Sequence, residues 1–139
     1  MAQTVNTNLG SSILKFQFTD DDGKVVASFL LNPADVRLAG RVQEAANFFR
    51  KASQSAPEQA TVADILKYNN NVEEEICRVL GYDAHQELFG FMSATTILED
   101  GEMFAQKILD MISEAVLPEI QQRKAALAAA VKKHTAKYE

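Results

Sequence analysis

Asp100-Gly101-Glu102-Met103-Phe104-Ala105-Gln106-Lys107-Ile108-Leu109-Asp110-Met111-Ile112-Ser113-Glu114-Ala115-Val116-Leu117-Pro118 says more about the architecture than any other segment of this chain. Met103, Phe104, Ile108, Met111, Ile112 and Ala115 recur at steps of three and four, which places them on one helical face. Beyond Pro118 the same step continues through Ile120, Leu127 and Val131, with alanine and lysine as the filling. The pattern predicts a core helix over 103–117 and a thin basic helical arm over 119–139. A kink or break is expected near Pro118, which lacks an N–H and crowds the preceding turn.

Working outward, the 139 residues predict one body with one hydrophobic core. An apolar share of 47% fits a folded chain. No apolar run reaches the roughly 18 residues needed to span a bilayer, so no membrane role is expected. Residues 1–12 are rich in Thr, Asn, Gln and Ser and read as a flexible arm without a secretion signal. A single cysteine, Cys77, cannot form an internal disulfide and fits a reducing cytosol.

The net charge of −5 is unevenly spread. Residues 1–118 carry 9 Lys/Arg against 17 Asp/Glu, a balance of −8, whereas residues 119–139 carry 5 against 2, a balance of +3. An acidic body repels phosphate backbones, which argues against nucleic acid as a partner. The basic end suits a helix C-terminus and could also meet an acidic partner or a neighbouring copy.

Upstream, Leu14, Phe16 and Phe18 alternate with Lys15, Gln17 and Thr19, the period of a strand with one buried face. Asp20-Asp21-Asp22-Gly23 reads as a turn, and Ala27, Phe29 and Leu31 mark a second strand. A lone hairpin is marginal in water, so it must lie on helices. Asn32-Pro33-Ala34-Asp35 predicts a helix over 33–51, with Asn32 as cap and Val36, Ala39, Val42, Ala46 and Phe49 inside. Thr61 and Asp64 form a capping-box pattern for a second helix. Its buried face is expected to hold Val62, Ile65, Leu66, Val72, Ile76, Val79 and Leu80, with a local bend at Asn69-Asn70-Asn71 and an end at Gly81. A short helix over 83–89 stops at Gly90. The predicted class is α+β and mainly helical: a hairpin over 13–31, three main helices and a short one, all within a body spanning 13–118 apart from the arm.

Chemistry is sparse. Three consecutive aspartates cannot all face one ion, and position 31 is leucine where a calcium loop needs glutamate. His85 and His134 lack a second ligand at metal spacing. Cys77 and His85 straddle the Gly81 break, so nothing fixes a thiolate and its base together. Glu73-Glu74-Glu75 reads as a solvated helix face, because consecutive residues point apart. No phosphate-binding glycine motif occurs. Neither catalysis nor a cofactor or metal is expected. An adaptable apolar surface remains the best candidate, with Phe89, Phe91, Met92, Met103, Phe104, Met111, Ile120, Leu127 and Val131 as its members.

The close Val131-Lys132-Lys133-His134-Thr135-Ala136-Lys137-Tyr138 resembles the "KYTAKY" ending of a family of short proteins from tail gene regions of tailed phages and prophages of Firmicutes. Phe29-Leu30-Leu31-Asn32-Pro33-Ala34-Asp35 is similar to that family's "TFNPTD". Val79-Leu80-Gly81, Glu87-Leu88-Phe89-Gly90 and Asp100-Gly101 follow in the same order. The resemblance implies a phage tail assembly chaperone, with the tape-measure protein and the tail-tube protein as partners and no active site. A homo-oligomer through the C-terminal helix is a further expectation. A structural or connector subunit of the tail and a small cytosolic regulatory protein are the alternatives.

Overall fold

The computed structural model describes residues 2–7, 13–54 and 59–137. Its elements are β1 (Leu14–Thr19), β2 (Val25–Leu31), α1 (Val36–Gln54), α2 (Val62–Leu80), α3 (His85–Phe89) and α4 (Phe104–Lys137). The class is α+β and mainly helical, as expected.

β1 and β2 pair antiparallel, with Leu14 opposite Leu31, Phe16 opposite Phe29 and Phe18 opposite Ala27. This register puts the aromatic residues on one side, where Phe16 and Phe29 stack at 4.9 Å and Phe18 meets Phe104 of α4 edge-on at 5.2 Å. Asp20 holds the turn by accepting from the backbone N–H groups of Asp22 and Lys24, both at 2.9 Å, and Gly23 takes φ +79°. The Asp run is therefore a turn staple. The Tyr82 hydroxyl oxygen accepts from the Leu30 N–H at 2.7 Å, satisfying a group on the outer edge of β2.

α1 begins three residues later than the sequence pattern predicts. Asn32 accepts from the Ala34 N–H and closes a turn around the buried Pro33, while Asp35 accepts from the Arg37 N–H and is the working cap. The inward face is Leu38, Ala45 and Phe49, with Ala39 and Val42 packed beside it; Val36 and Ala46 face outward.

α2 carries the full capping box: Asp64 N–H donates to the Thr61 hydroxyl and Thr61 N–H donates to the Asp64 carboxylate. It runs through Asn69-Asn70-Asn71 as one unbroken helix. Gly81 ends it at φ +82°, donating to the Cys77 carbonyl, and Arg41 of α1 donates to the Val79 carbonyl at 2.8 Å. Val72, Ile76 and Val79 are fully buried. Val62, Ile65 and Leu66, expected inside, are exposed, because the first two turns of α2 extend past the body.

The core is finished by Leu88 of α3 and by Phe104, Ala105, Ile108, Leu109, Ile112 and Val116 of α4. α4 continues through Pro118 without a break. Glu114, whose carbonyl loses the proline's N–H, is exposed, so water can take that bond. The packed half nucleates the helix, and an alanine-rich sequence propagates it at little cost. Every residue over 121–133 is exposed. The expected arm over 1–12 falls partly outside the described residues; residues 2–7 form neither helix nor strand.

Candidate interaction site

The structure separates the nine apolar residues expected to meet a partner into three groups. Phe89 and Phe104 are buried and touch each other edge-on, with ring centroids 6.0 Å apart. They are core residues, not partner contacts, because the hairpin and α3 close over them. Met92, Met103 and Ile120 are half-buried and pack against the core, and Met111 is half-buried. Phe91, Leu127 and Val131 are exposed. Phe91 sits after α3, and Leu127 and Val131 stand one turn apart on the protruding half of α4, so the nine do not form one groove.

The apolar face of α4 resumes on its exposed half after Arg123 and Lys124 interrupt it. Ile112 and Val116 are buried, Ile120 is half-buried, and Leu127 is 67% exposed. Arg123 ties this half of the helix to the body, donating to the Ala34 carbonyl just ahead of α1. Past it lie Lys124, Lys132 and Lys133, with the alanines of 125–130 between. Such a helix offers a narrow, shallow apolar strip flanked by cations. It can lie against another amphipathic helix.

A polar junction escaped the sequence reading. Glu73, expected on a solvated face, is only 6% exposed. Its carboxylate accepts from the Asn69 amide at 2.8 Å, the Ala94 N–H at 3.1 Å and the His85 ring at 2.5 Å. An acceptor-only carboxylate requires His85 to present Nε2–H. Asn69 in turn accepts from the Thr95 N–H and hydroxyl, and the Ala94 carbonyl accepts from Ala105 N–H at the start of α4. One buried side chain thus sets α2, α3 and the entry to α4 relative to one another. The only signal in the sequence was the Asn69–Glu73 spacing of four.

Beside this junction an open groove of about 630 Å³ is lined by Asn70, Glu73, Glu74, Cys77, Arg78, Tyr82, Asp83 and His85. It does bring Cys77 and His85 to one place. Burial, together with the nearby Asp83, Glu73 and Glu87 carboxylates, pushes the Cys77 thiol up, the opposite of an activated nucleophile. The His85 ring is committed to Glu73. Among the described residues no group of three His, Cys, Asp or Glu is arranged to hold a metal ion, and no helix is long and apolar enough to cross a membrane. The side chain of His134 lies outside the described set. Comparison with protein-family models, with curated proteins and with solved structures found no match to this chain.

Proposed function

We propose that this protein is a non-catalytic binding protein of the phage tail assembly chaperone kind, which holds amphipathic helical segments of a tape-measure protein during tail assembly. The observation that carries the binding role is the α4 stripe, which leaves the core at Ile120 and resumes, exposed, at Leu127. A strip with small residues and long cationic side chains is tolerant of sequence, as a protein coating many similar segments requires. The tape-measure partner itself comes from the family resemblance of the chain's end. An acidic body beside the basic strip keeps such a protein soluble while it carries apolar cargo.

Co-expression with the tape-measure protein encoded in the same genome tests this reading. A complex should be retained by affinity capture of either chain and weakened by Leu127→Glu. Recovery of the tape-measure protein in the insoluble fraction, with none bound, overturns it. Mass spectrometry of purified particles distinguishes the connector-subunit alternative, since an assembly chaperone is missing from finished tails.

A further inference from the structure

The hairpin joins the body mainly through one strand. β2 packs against α3, and its outer edge is closed where the Leu30 N–H meets the Tyr82 hydroxyl. β1 is held by β2 and by the Phe18 ring on Phe104. Because the Leu30 N–H points away from β1, Leu30 and Lys15 face each other without ladder bonds, and the bonded pairs are Leu14–Leu31, Phe16–Phe29 and Phe18–Ala27. The backbone N–H and C=O groups of Lys15 and Gln17 therefore point outward from β1, and they have no partner among the described residues. Both residues are exposed.

Little blunts this edge. β1 contains no proline, Lys15 is its one charge, and the irregularity of the hairpin, an extra residue at Val26, lies on β2. On the core side, Leu14, Phe16 and Phe18 form an apolar row that is covered from one flank. Leu14 is 43% exposed, and both rings are half-buried. A strand laid along β1 would find backbone partners and apolar neighbours in the same register.

We infer that the occupant of this edge is β1 of a second copy, paired antiparallel about a two-fold axis at Phe16. In that register Lys15 of each copy exchanges backbone bonds with Gln17 of the other. Phe16 meets Phe16 across the axis and Leu14 meets Phe18, so the two apolar rows become one without a polar residue between them. Neighbouring registers fail: an axis at Lys15 sets lysine on lysine, and an axis at Gln17 sets Leu14 on Asp20. Charge also selects the orientation. Antiparallel pairing sends each Asp20-Asp21-Asp22 turn out beyond the other copy's Lys15, whereas parallel pairing stacks the two acidic turns. The same patch serves both copies, so the assembly closes as a dimer with the two hairpins in one sheet. A strand of six residues buries much less than the roughly 1,200 Å² of a stable interface, which makes the dimer weak and concentration-dependent. This inference concerns the protein alone and stands apart from the binding role of α4.

Sedimentation velocity on the full chain, with amide exchange read by NMR, tests it. From about 10 μM to about 1 mM, the range of a weak contact, the mass should rise from monomer toward dimer and stop there. Over the same range the Lys15 and Gln17 amides should gain about tenfold in protection, while those of Phe16 and Phe18, bonded to β2, stay as they were. Gln17→Pro removes an outward N–H where a strand edge tolerates proline, and Leu14→Glu puts a charge into the joined apolar row. Each should raise the dimer dissociation constant by about tenfold or more, whereas Leu127→Glu should dimerise as the wild type does. Circular dichroism checks that the variants fold, and the wild-type exchange pattern decides without them. A wild type still monomeric at about 1 mM, growth beyond the dimer, folded variants that dimerise undiminished, or a dimer whose Lys15 and Gln17 amides stay unprotected each overturns the proposal.

Discussion

Glu73 and His85 lie twelve positions apart on different helices, and their side chains meet at 2.5 Å with the carboxylate buried and the imidazole half in solvent. The buried partner matters more. Replacing Glu73 with alanine leaves the Ala94 N–H and the Asn69 amide without their acceptor, and unsatisfied buried donors each cost about 1–3 kcal/mol. Urea unfolding of Glu73→Ala should therefore show a loss of about 3 kcal/mol. His85→Ala should lose about 1 kcal/mol, because its ring reaches water and the other donors remain. A smaller effect for Glu73→Ala than for His85→Ala would mean that the junction does not hold the helices.

The two halves of α4 should respond oppositely to truncation. Ile112 has no exposure at all, so Ile112→Ala should destabilise by about 3 kcal/mol through lost burial and the cavity left behind. Ending the chain after Lys124, so that Arg123 keeps its bond to the Ala34 carbonyl, removes residues that are exposed throughout 125–133. Measured in dilute solution, the truncated protein should keep the wild-type unfolding free energy within about 0.5 kcal/mol while losing helical ellipticity.

Acid sensitivity should come from helix and turn caps. Hydrogen bonds from the Thr61 backbone and side chain hold the Asp64 carboxyl below its ordinary value of 3.8. Arg37 does the same for Asp35, and Lys107 for Asp100. Groups lowered on folding stabilise fully above the unfolded value and lose that contribution as pH falls through the folded one. Unfolding midpoints in urea should accordingly be flat from neutral pH down to about 5 and decline below about 4. Asp64→Ala should make the decline shallower, and Thr61→Ala should cost about 1 kcal/mol at neutral pH.

Two glycines should fail as alanine for different reasons. Gly81 sits at φ +82°, where a Cβ is strained whatever space surrounds it, so Gly81→Ala should lose about 1–2 kcal/mol. Gly90 has ordinary helical angles, but a Cβ there would lie 2.5 Å from the Gln86 carbonyl oxygen. Thermal unfolding should show Gly90→Ala destabilised as well, and Gly23→Ala, whose Cβ would meet nothing, affected only through its backbone angle.

Local chemistry was the legible part of this chain. Strand alternation around Phe16 and Phe29, the Thr61–Asp64 box and the Gly81 stop each depend on a few neighbouring residues, and each appears where the pattern places it. Periodicity could not say where the body ends. Val62, Ile65 and Leu66 repeat as correctly as Val72, Ile76 and Val79, yet only the second set has neighbours to bury it. Nor could it separate Glu73 from Glu74: identical residues one helical step apart differ by about 100° in direction, and one enters the core. The same blindness applied to the partner surface, where Phe89, the last residue of α3, is buried and Phe91, two positions on, is exposed.

The paired triplets in α2 have a consequence for its rotational setting. Asn69-Asn70-Asn71 and Glu73-Glu74-Glu75 are offset by four, so slipping the helix by one residue would seat Asn70 and Glu74 where Asn69 and Glu73 now sit. The polar junction is thus degenerate: three successive settings would satisfy Ala94 and Thr95 equally well. The apolar stripe is not degenerate. The same slip would drive Glu73 into the position of Val72, a charge without a partner in the core. The rotational phase of α2 is thus dictated by Val72, Ile76 and Val79, while the Glu73 network fixes what α2 meets at α3 and the entry to α4.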